Sequence, residues 1–246
     1  MKISIITTCL NSEDVIEKTI NSVLSQTYHN IEYIITDGGS VDATKKILNK
    51  FSNKFIKIDI QKDSGIYDGI NRGINLSTGD FITTLHAGDF YCADNVLEKI
   101  CSIINQNKDH KIFFGNTIII KNSKIYRNYK STNFKKEDLL IGIMPPHTSS
   151  FIAKEIYKKY GFYKKNYKIA GDYELFLRLL YINNLNFFMT DTDVTFMEYG
   201  GKSNMGFKSI FLNTTEMLQA NKENNIKNNF IKLSLRLPIK LKQLWK

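Results

Sequence analysis

Ile3-Ser4-Ile5-Ile6-Thr7-Thr8-Cys9-Leu10, running directly into Asn11-Ser12-Glu13-Asp14, is the stretch that decides the fold. The apolar, β-branched run forms a strand, and the polar run starts a helix with acids in its first turn, where they complement the helix dipole. Val15, Ile16, Thr19, Ile20, Val23 and Leu24 then recur at helical spacing. Working outward, Ile31 to Thr36 reads as a second strand leading into Asp37-Gly38-Gly39-Ser40, and Asp42 is placed to cap a helix carrying Ile47, Leu48 and Phe51. Phe55 to Ile60 alternates as a third strand and ends near Asp63. Strand, helix, strand, helix predicts an α/β fold with a mostly parallel, Rossmann-like central sheet flanked by helices.

The stretch Thr78-Gly79-Asp80-Phe81-Ile82-Thr83-Thr84-Leu85-His86-Ala87-Gly88-Asp89-Phe90 adds chemistry to this frame. Its β-rich run delivers Asp89 into a loop at the C-terminal end of a strand, where open α/β sheets bind ligands. A carboxylate there suits a hard divalent cation, Mn2+ or Mg2+, of the kind that neutralises a nucleotide diphosphate. The plainer alternative is a turn made by Ala-Gly-Asp. Asp37, Asp63 and Asp89 follow successive strands and are expected along one edge of one sheet.

Length and composition set limits. A chain of 246 residues, 42% hydrophobic, can bury a substantial core. It contains no run of about 18 apolar residues that would span a membrane, and the short N-terminal apolar run reads as a buried strand rather than a signal peptide. Cys9, Cys92 and Cys101 are odd in number and lack a Cys-x-x-Cys pair, which argues against a disulfide framework or zinc site and favours the cytoplasm. The formal charge of +10 is densest from Ile226 to Lys246, where Phe230, Ile231, Leu233, Leu235, Leu237, Ile239, Leu241, Leu244 and Trp245 interleave with Lys232, Arg236, Lys240, Lys242 and Lys246. No recognition-helix, zinc-finger or aromatic RNA-binding signature accompanies these cations, so nucleic acid is not the expected partner. A basic amphipathic segment predicts peripheral contact with an anionic membrane surface; the alternative is a terminal helix packed on the domain, interrupted at Pro238.

In order along the chain come Asn11, Ser25-Gln26-Thr27-Tyr28, Asp37-Gly38-Gly39-Ser40, Asp63-Ser64-Gly65-Ile66-Tyr67-Asp68-Gly69-Ile70-Asn71-Arg72-Gly73 and Ala87-Gly88-Asp89. Pro146-His147-Thr148, Ala170-Gly171-Asp172-Tyr173-Glu174-Leu175 and Gly200-Gly201-Lys202-Ser203 complete the series. In this order they resemble the family 2 glycosyltransferases of GT-A fold that act in bacterial polysaccharide and O-antigen synthesis. The resemblance spans roughly residues 1–205. It implies a catalytic domain over 1–205, with a nucleotide-binding half (1–90) and an acceptor-side half (91–205), followed by a helical, basic-amphipathic extension over 206–246. It also implies that Thr8, Asn11, Asp37, Asp63, Asp68, Asn71 and Arg72 line the donor site, with Asp63 at the base or ribose and Arg72 at the diphosphate. Asp89 becomes the metal ligand, His147 a contact to acceptor or leaving phosphate, and Asp172 the general base. Relatives often carry acids where this chain has Gly88 and Gly38, and often Asn where it has His86. Local alternatives are a turn at Asp63-Ser64-Gly65, an Asp68–Arg72 helix pair, and a hydrogen-bonded structural role for His86.

Spacing adds to this in the second half. Leu175, Phe176, Leu179 and Leu180 follow Asp172 by three, four, seven and eight positions, which puts Asp172 on the inward face of a helix beginning there. Glu174 precedes Arg178 by four and reads as a solvated ion pair on another face. Asp172 also fits a helix N-cap. Attack by an acceptor hydroxyl on an anomeric carbon requires one base, and the departing nucleoside diphosphate requires charge stabilisation rather than a proton. The expected activity is therefore inverting, metal-assisted sugar transfer from a nucleotide-diphosphate donor to a saccharide or lipid-linked saccharide, at the inner face of the cell membrane.

Other classes fit less well. A Rossmann oxidoreductase requires Gly-x-Gly-x-x-Gly where Cys9-Leu10-Asn11-Ser12 stands, and a P-loop ending in Gly201-Lys202-Ser203 requires glycine at Phe196. A sugar-phosphate nucleotidyltransferase lacks its glycine-rich basic loop here. A non-catalytic sugar-nucleotide-binding protein remains the alternative, weakened by Asp89 and Asp172 together.

Overall fold

The computed structural model describes residues 1–52, 56–200, 206–227, 230, 233 and 236. The expected alternation is present: β1 (Ile3–Cys9), α1 (Ile16–Leu24), β2 (Ile31–Asp37), α2 (Thr44–Lys50), β3 (Ile56–Ile60), α3 (Ile66–Leu76) and β4 (Phe81–Thr84). Every residue of β1 is buried, as is all of β2 after Ile31, because helices cover both faces of this part of the sheet. The N-cap residue of α2 is Ala43 rather than the expected Asp42; Asp42 stands one residue earlier, its Oδ1 accepting the Thr44 N–H at 3.0 Å. Phe55, the expected start of the third strand, lies outside the described residues.

Beyond β4 the pattern changes. The remaining elements are β5 (Phe90–Tyr91), α4 (Val96–Gln106), β6 (Ile112–Lys121), β7 (Lys124–Tyr129), β8 (Ser150–Ala153), α5 (Lys154–Tyr160), α6 (Gly171–Phe176, continued as a π-helical stretch to Ile182), β9 (Phe188–Glu198) and α7 (Gly206–Glu223). All strands join one sheet in the order β3-β2-β1-β4-β8-β6-β9-β5, with β7 paired to β6. Pairings among β1 to β4 are parallel, and β8 then runs antiparallel to both β4 and β6. The parallel character belongs to the first half, and only β6–β9 continues it in the second.

The order 3-2-1-4 has a functional meaning. The chain runs outward from β1 to β3 on one side, then crosses to β4 on the other, so a crevice opens beyond the C-terminal ends of β1 and β4. Thr8 and His86 meet at that opening.

The C-terminal helix is built into this body. Tyr173 Oη donates to Asn221 Oδ1 at 2.7 Å, and Glu223 receives the Lys164 ammonium at 2.8 Å and the Tyr167 hydroxyl at 3.0 Å. Of the segment expected at a membrane surface, most residues lie outside the described ones: Asn228, Asn229, Ile231, Lys232, Ser234, Leu235 and everything from Leu237 to Lys246. Arg236 is a correction to that expectation. It is buried, donating to Thr214 Oγ1 at 2.8 Å and to Met217 Sδ, and it packs beside Gly142 with Leu233, also buried. Phe230 is exposed.

Candidate active site

Asp172 occupies the second position of α6, 8% exposed, on the inward face that the leucine spacing predicted. Ala170 is the N-cap residue, and no side chain caps the helix, so the capping alternative for Asp172 does not hold. Its Oδ2 lies 3.2 Å from the Tyr67 hydroxyl, while its Oδ1 is buried without a hydrogen-bond partner. One oxygen is held by Tyr67, and the other is a buried acceptor with no hydrogen bond of its own.

Tyr67, on the first turn of α3, was not assigned a role by the sequence reading. Its hydroxyl lies 2.7 Å from the Ile169 carbonyl and accepts the Gly171 N–H at 2.9 Å. Burial, then the Asp172 charge, push the phenol well above its ordinary pKa, so it remains a donor. Gly171 has to be glycine, since a Cβ there would come within 2.5 Å of the Tyr67 ring. The signal available in sequence was Tyr67 inside the Asp63–Gly73 motif.

His86 is near enough to this base to feel its charge, and His147 lies beside His86. His86 Nδ1 is 2.7 Å from Thr8 Oγ1, as in the hydrogen-bonded reading of that residue, and its ring centroid is 6.3 Å from that of His147. Burial and then the neighbouring His147 push His86 down to about 4 against the opposing pull of Asp172, so His86 is neutral at pH 7. His147 starts a short 3-10 turn after Pro146, and behind it Thr117, Thr148, Ser149 and Thr195 form a buried cluster of four hydroxyls linked at 2.7–3.2 Å. This cluster, also unforeseen, anchors the turn to β6 and β9.

The expected donor residues divide into two groups. Around the crevice stand Thr8, Asn11 and Asp63. Asn11 has a left-handed φ of 49° and its Oδ1 accepts the Val41 N–H at 2.9 Å, tying the loop after β1 to the loop after β2. Asp63 Oδ1 accepts the Gly65 N–H at 3.1 Å, the expected turn. Asp63 also explains Gly38: a Cβ at 38 would lie 2.7 Å from Asp63 Oδ2, so the Asp63 carboxylate fills the space a side chain there would need. Burial, outweighing the Gly65 N–H and Arg72, raises the Asp63 pKa.

The polar groups of Asp37, Asp68, Asn71 and Arg72 are engaged by protein partners, that of Asp68 at the surface. Asp37 is fully buried and accepts from the Gly39 and Ser40 N–H groups at 2.8 and 2.7 Å and from Ser40 Oγ at 2.5 Å, which shapes the loop. Asn71 exchanges two hydrogen bonds with the Tyr163 backbone, at 2.8 and 3.1 Å. Arg72 bridges Asp59 at 2.8 Å and Asp63 at 3.6 Å, and Asp68 pairs with Lys165 at 2.5 Å, so the Asp68–Arg72 helix pair does not form. Glu174 pairs with Arg178 as spaced, at 3.0 Å, yet the carboxylate is fully buried and shared with Lys164 at 3.0 Å rather than solvated. The packing of α6 against the loop 160–164 closes over it.

Asp89 follows a turn at Gly88, whose φ of 100° suits glycine, and its N–H donates to the His86 carbonyl at 2.9 Å. Burial, eased by the His86 backbone N–H and worsened by Glu198, pushes the carboxyl up to about 8. A buried acid in that state is one that a cation would relieve. Among the described residues no group of three or more His, Cys, Asp or Glu side chains is arranged around a metal position. Mn2+ or Mg2+ at Asp89 therefore fits the mode in which one carboxylate, substrate phosphates and water complete the shell.

Comparison with known proteins bears on the family and the fold. The family model described as glycosyl transferase family 2 matches residues 4–171. A PGL/p-HBAD biosynthesis glycosyltransferase of Mycobacterium bovis is 27% identical over 224 residues, covering 87% of this chain and 84% of the relative. Among solved structures, S. aureus TarS 1-349 in complex with UDP-GlcNAc superposes with a TM-score of 0.72 at 16% identity, covering 96% of this chain and 72% of that one. A mannosyltransferase from Pyrobaculum calidifontis, in complex with GDP-Man and Mn2+, gives 0.66 at 12% identity over 92% of this chain and 65% of that one. These two likenesses concern the fold.

Proposed function

This chain belongs to glycosyl transferase family 2, and on that premise we propose that it moves a sugar from a nucleotide-diphosphate donor to a hydroxyl of a saccharide or lipid-linked saccharide, with inversion, in cell-surface polysaccharide synthesis. The observation that carries the reading is Asp172: a buried carboxylate with one oxygen tethered to Tyr67 and the other unpartnered, close enough for its charge to act on His86. In the proposed step Asp172 Oδ1 takes the acceptor's proton as the acceptor oxygen bonds to the anomeric carbon. The bond from that carbon to the diphosphate oxygen breaks, and the diphosphate leaves with the electron pair. Asp89 would hold a Mn2+ or Mg2+ that stabilises the charge gathered on that diphosphate. On this reading Thr8, Asn11 and Asp63 would contact the donor's nucleoside, and His147 the acceptor or the leaving phosphate.

The same reading places the protein peripherally at the inner face of the cell membrane, where lipid-linked acceptors are found. No helix among the described residues is long and apolar enough to cross a membrane. Exposed Ile210, Phe211 and Phe230, with the lysines of the C-terminal segment, support surface contact.

The test is to incubate the protein with UDP-, GDP- and dTDP-sugars, Mn2+ or Mg2+ and a panel of saccharide hydroxyl acceptors, and to read the product's anomeric configuration by NMR. An inverted glycoside is expected. Retention of configuration, or nucleotide transfer to a sugar phosphate, would refute the proposal.

A further inference from the structure

Glu216 lies on α7, far in sequence from the residues of the candidate active site, and is buried, 6% exposed. Three consecutive backbone N–H groups donate to it: Lys168 to Oε1, and Ile169 and Ala170 to Oε2, each at 2.9 Å. The next two residues are Gly171 and Asp172. The strand of backbone that delivers Asp172 into α6 is thus wrapped around one buried charge. Charge-assisted hydrogen bonds of this kind are about twice as strong as neutral ones, and a buried carboxylate spread over three amides fixes their relative directions.

On the opposite side the same segment is held by Tyr67, through the Ile169 carbonyl and the Gly171 N–H. Residues 168–172 therefore sit between α7 and α3. Tyr67 touches Asp172 itself, whereas Glu216 reaches it only through backbone. A displacement of this segment by about 1 Å would move Asp172 Oδ1 out of line with an acceptor hydroxyl, which general-base geometry does not tolerate without loss of rate.

We infer that Glu216 is a positioning residue for the base Asp172, which makes the C-terminal helix a working part of the catalytic apparatus rather than an appendage. The inference rests on the reading of Asp172 as general base. Its action is confined to orientation: Glu216 accepts no proton and meets no substrate.

The test compares Glu216→Gln with Glu223→Gln in the full chain. Glu223 lies on the same helix and binds Lys164 and Tyr167, outside the 168–170 clamp. A glutamine at 216 turns an N–H group toward amides that need an acceptor. Glu216→Gln is expected to lower kcat by ~10-fold or more with the donor KM and UDP or GDP affinity unchanged, while Glu223→Gln keeps kcat. Amide exchange at Lys168, Ile169 and Ala170 should accelerate, and the 13C carboxyl signal of Asp172 should move, in Glu216→Gln alone. Unchanged kcat, or a loss of kcat that tracks loss of melting temperature equally in both variants, would overturn the inference. If the unaltered protein turns over none of the nucleotide sugars, the functional reading fails and the clamp is judged by exchange and the Asp172 signal. Unchanged exchange and an unmoved signal overturn it there as well.

Discussion

Replacing Asp172 by asparagine separates chemistry from structure in this site, because the structure gives the carboxylate almost nothing structural to do. Oδ1 has no partner, Oδ2 has one hydrogen bond of 3.2 Å, and the helix is capped elsewhere. An asparagine of the same shape keeps an acceptor for Tyr67. It loses a favourable negative charge in the first turn of α6, a contribution of about 0.3–1 kcal/mol. For a chain of this size about 1 kcal/mol corresponds to roughly 2–4 °C in melting temperature, which sets the expected upper limit of the stability change. The catalytic loss should be far larger: a positioned base contributes ~10²–10⁴-fold, or about 2.7–5.5 kcal/mol in the barrier at 1.36 kcal/mol per factor of ten. The assay is single-turnover sugar transfer beside equilibrium titration with the donor and a thermal melt. Near wild-type turnover combined with a drop of many degrees would refute the reasoning and restore a purely structural Asp172.

Asp89→Ala should abolish the gain in nucleoside diphosphate affinity brought by Mn2+ or Mg2+ in a thermal-shift titration; binding by the unaltered protein that is indifferent to chelator would count against the metal role. Glu32 provides the pH test: burial pushes its carboxyl up, but Lys57, the Thr78 N–H and the Ser4 hydroxyl outweigh this and hold it down from 4.5 to about 2. Because the folded value is the lower one, the associated stability is present above pH 4.5 and lost as pH falls toward 2. That is at most about 3.4 kcal/mol by linkage, so Glu32→Gln should flatten urea-measured stability over that window, and an unaltered acid slope would show that other groups carry it. Membrane contact is better probed by Phe211→Ser with Phe230→Ser than by truncation, since removing Leu233 and Arg236 would open the domain where they are buried. Co-sedimentation with anionic vesicles should weaken while melting temperature holds, and undiminished co-sedimentation would exclude these side chains from the contact.

What the sequence made legible is what is local. The β1–α1–β2–α2 alternation follows from residue periodicity within single elements, and the loops bearing Asp37, Asp63 and Asp89 follow from glycine and acid placement at strand ends. The family resemblance then located Asp172. Side-chain direction was the part that sequence spacing did not carry. Asp68 and Arg72 have the spacing of a helix pair, but Asp59 beside Arg72 and Lys165 beside Asp68 offer closer partners from other elements, so the guanidinium and carboxylate part company. Glu174 and Arg178 do pair, and only the loop 160–164 folding over them decides that the pair is buried.

The least legible residues are those that organise the base. Tyr67 reaches Asp172 across 105 positions, and Glu216 reaches Lys168, Ile169 and Ala170 across 46 to 48. No periodicity connects a residue to a partner at such separations. Each is nonetheless marked by a physical anomaly once the chain is folded: a phenol with three polar neighbours for one proton, and a buried carboxylate whose hydrogen bonds all come from one short stretch of backbone. A buried charge is retained only where something compensates its desolvation, and here the compensation is spent on the five residues that present Asp172. That economy separates Glu216 from Glu223, which is bound as firmly to side chains outside that stretch, and it is why substitution at 216 should register in the rate while substitution at 223 registers in stability alone.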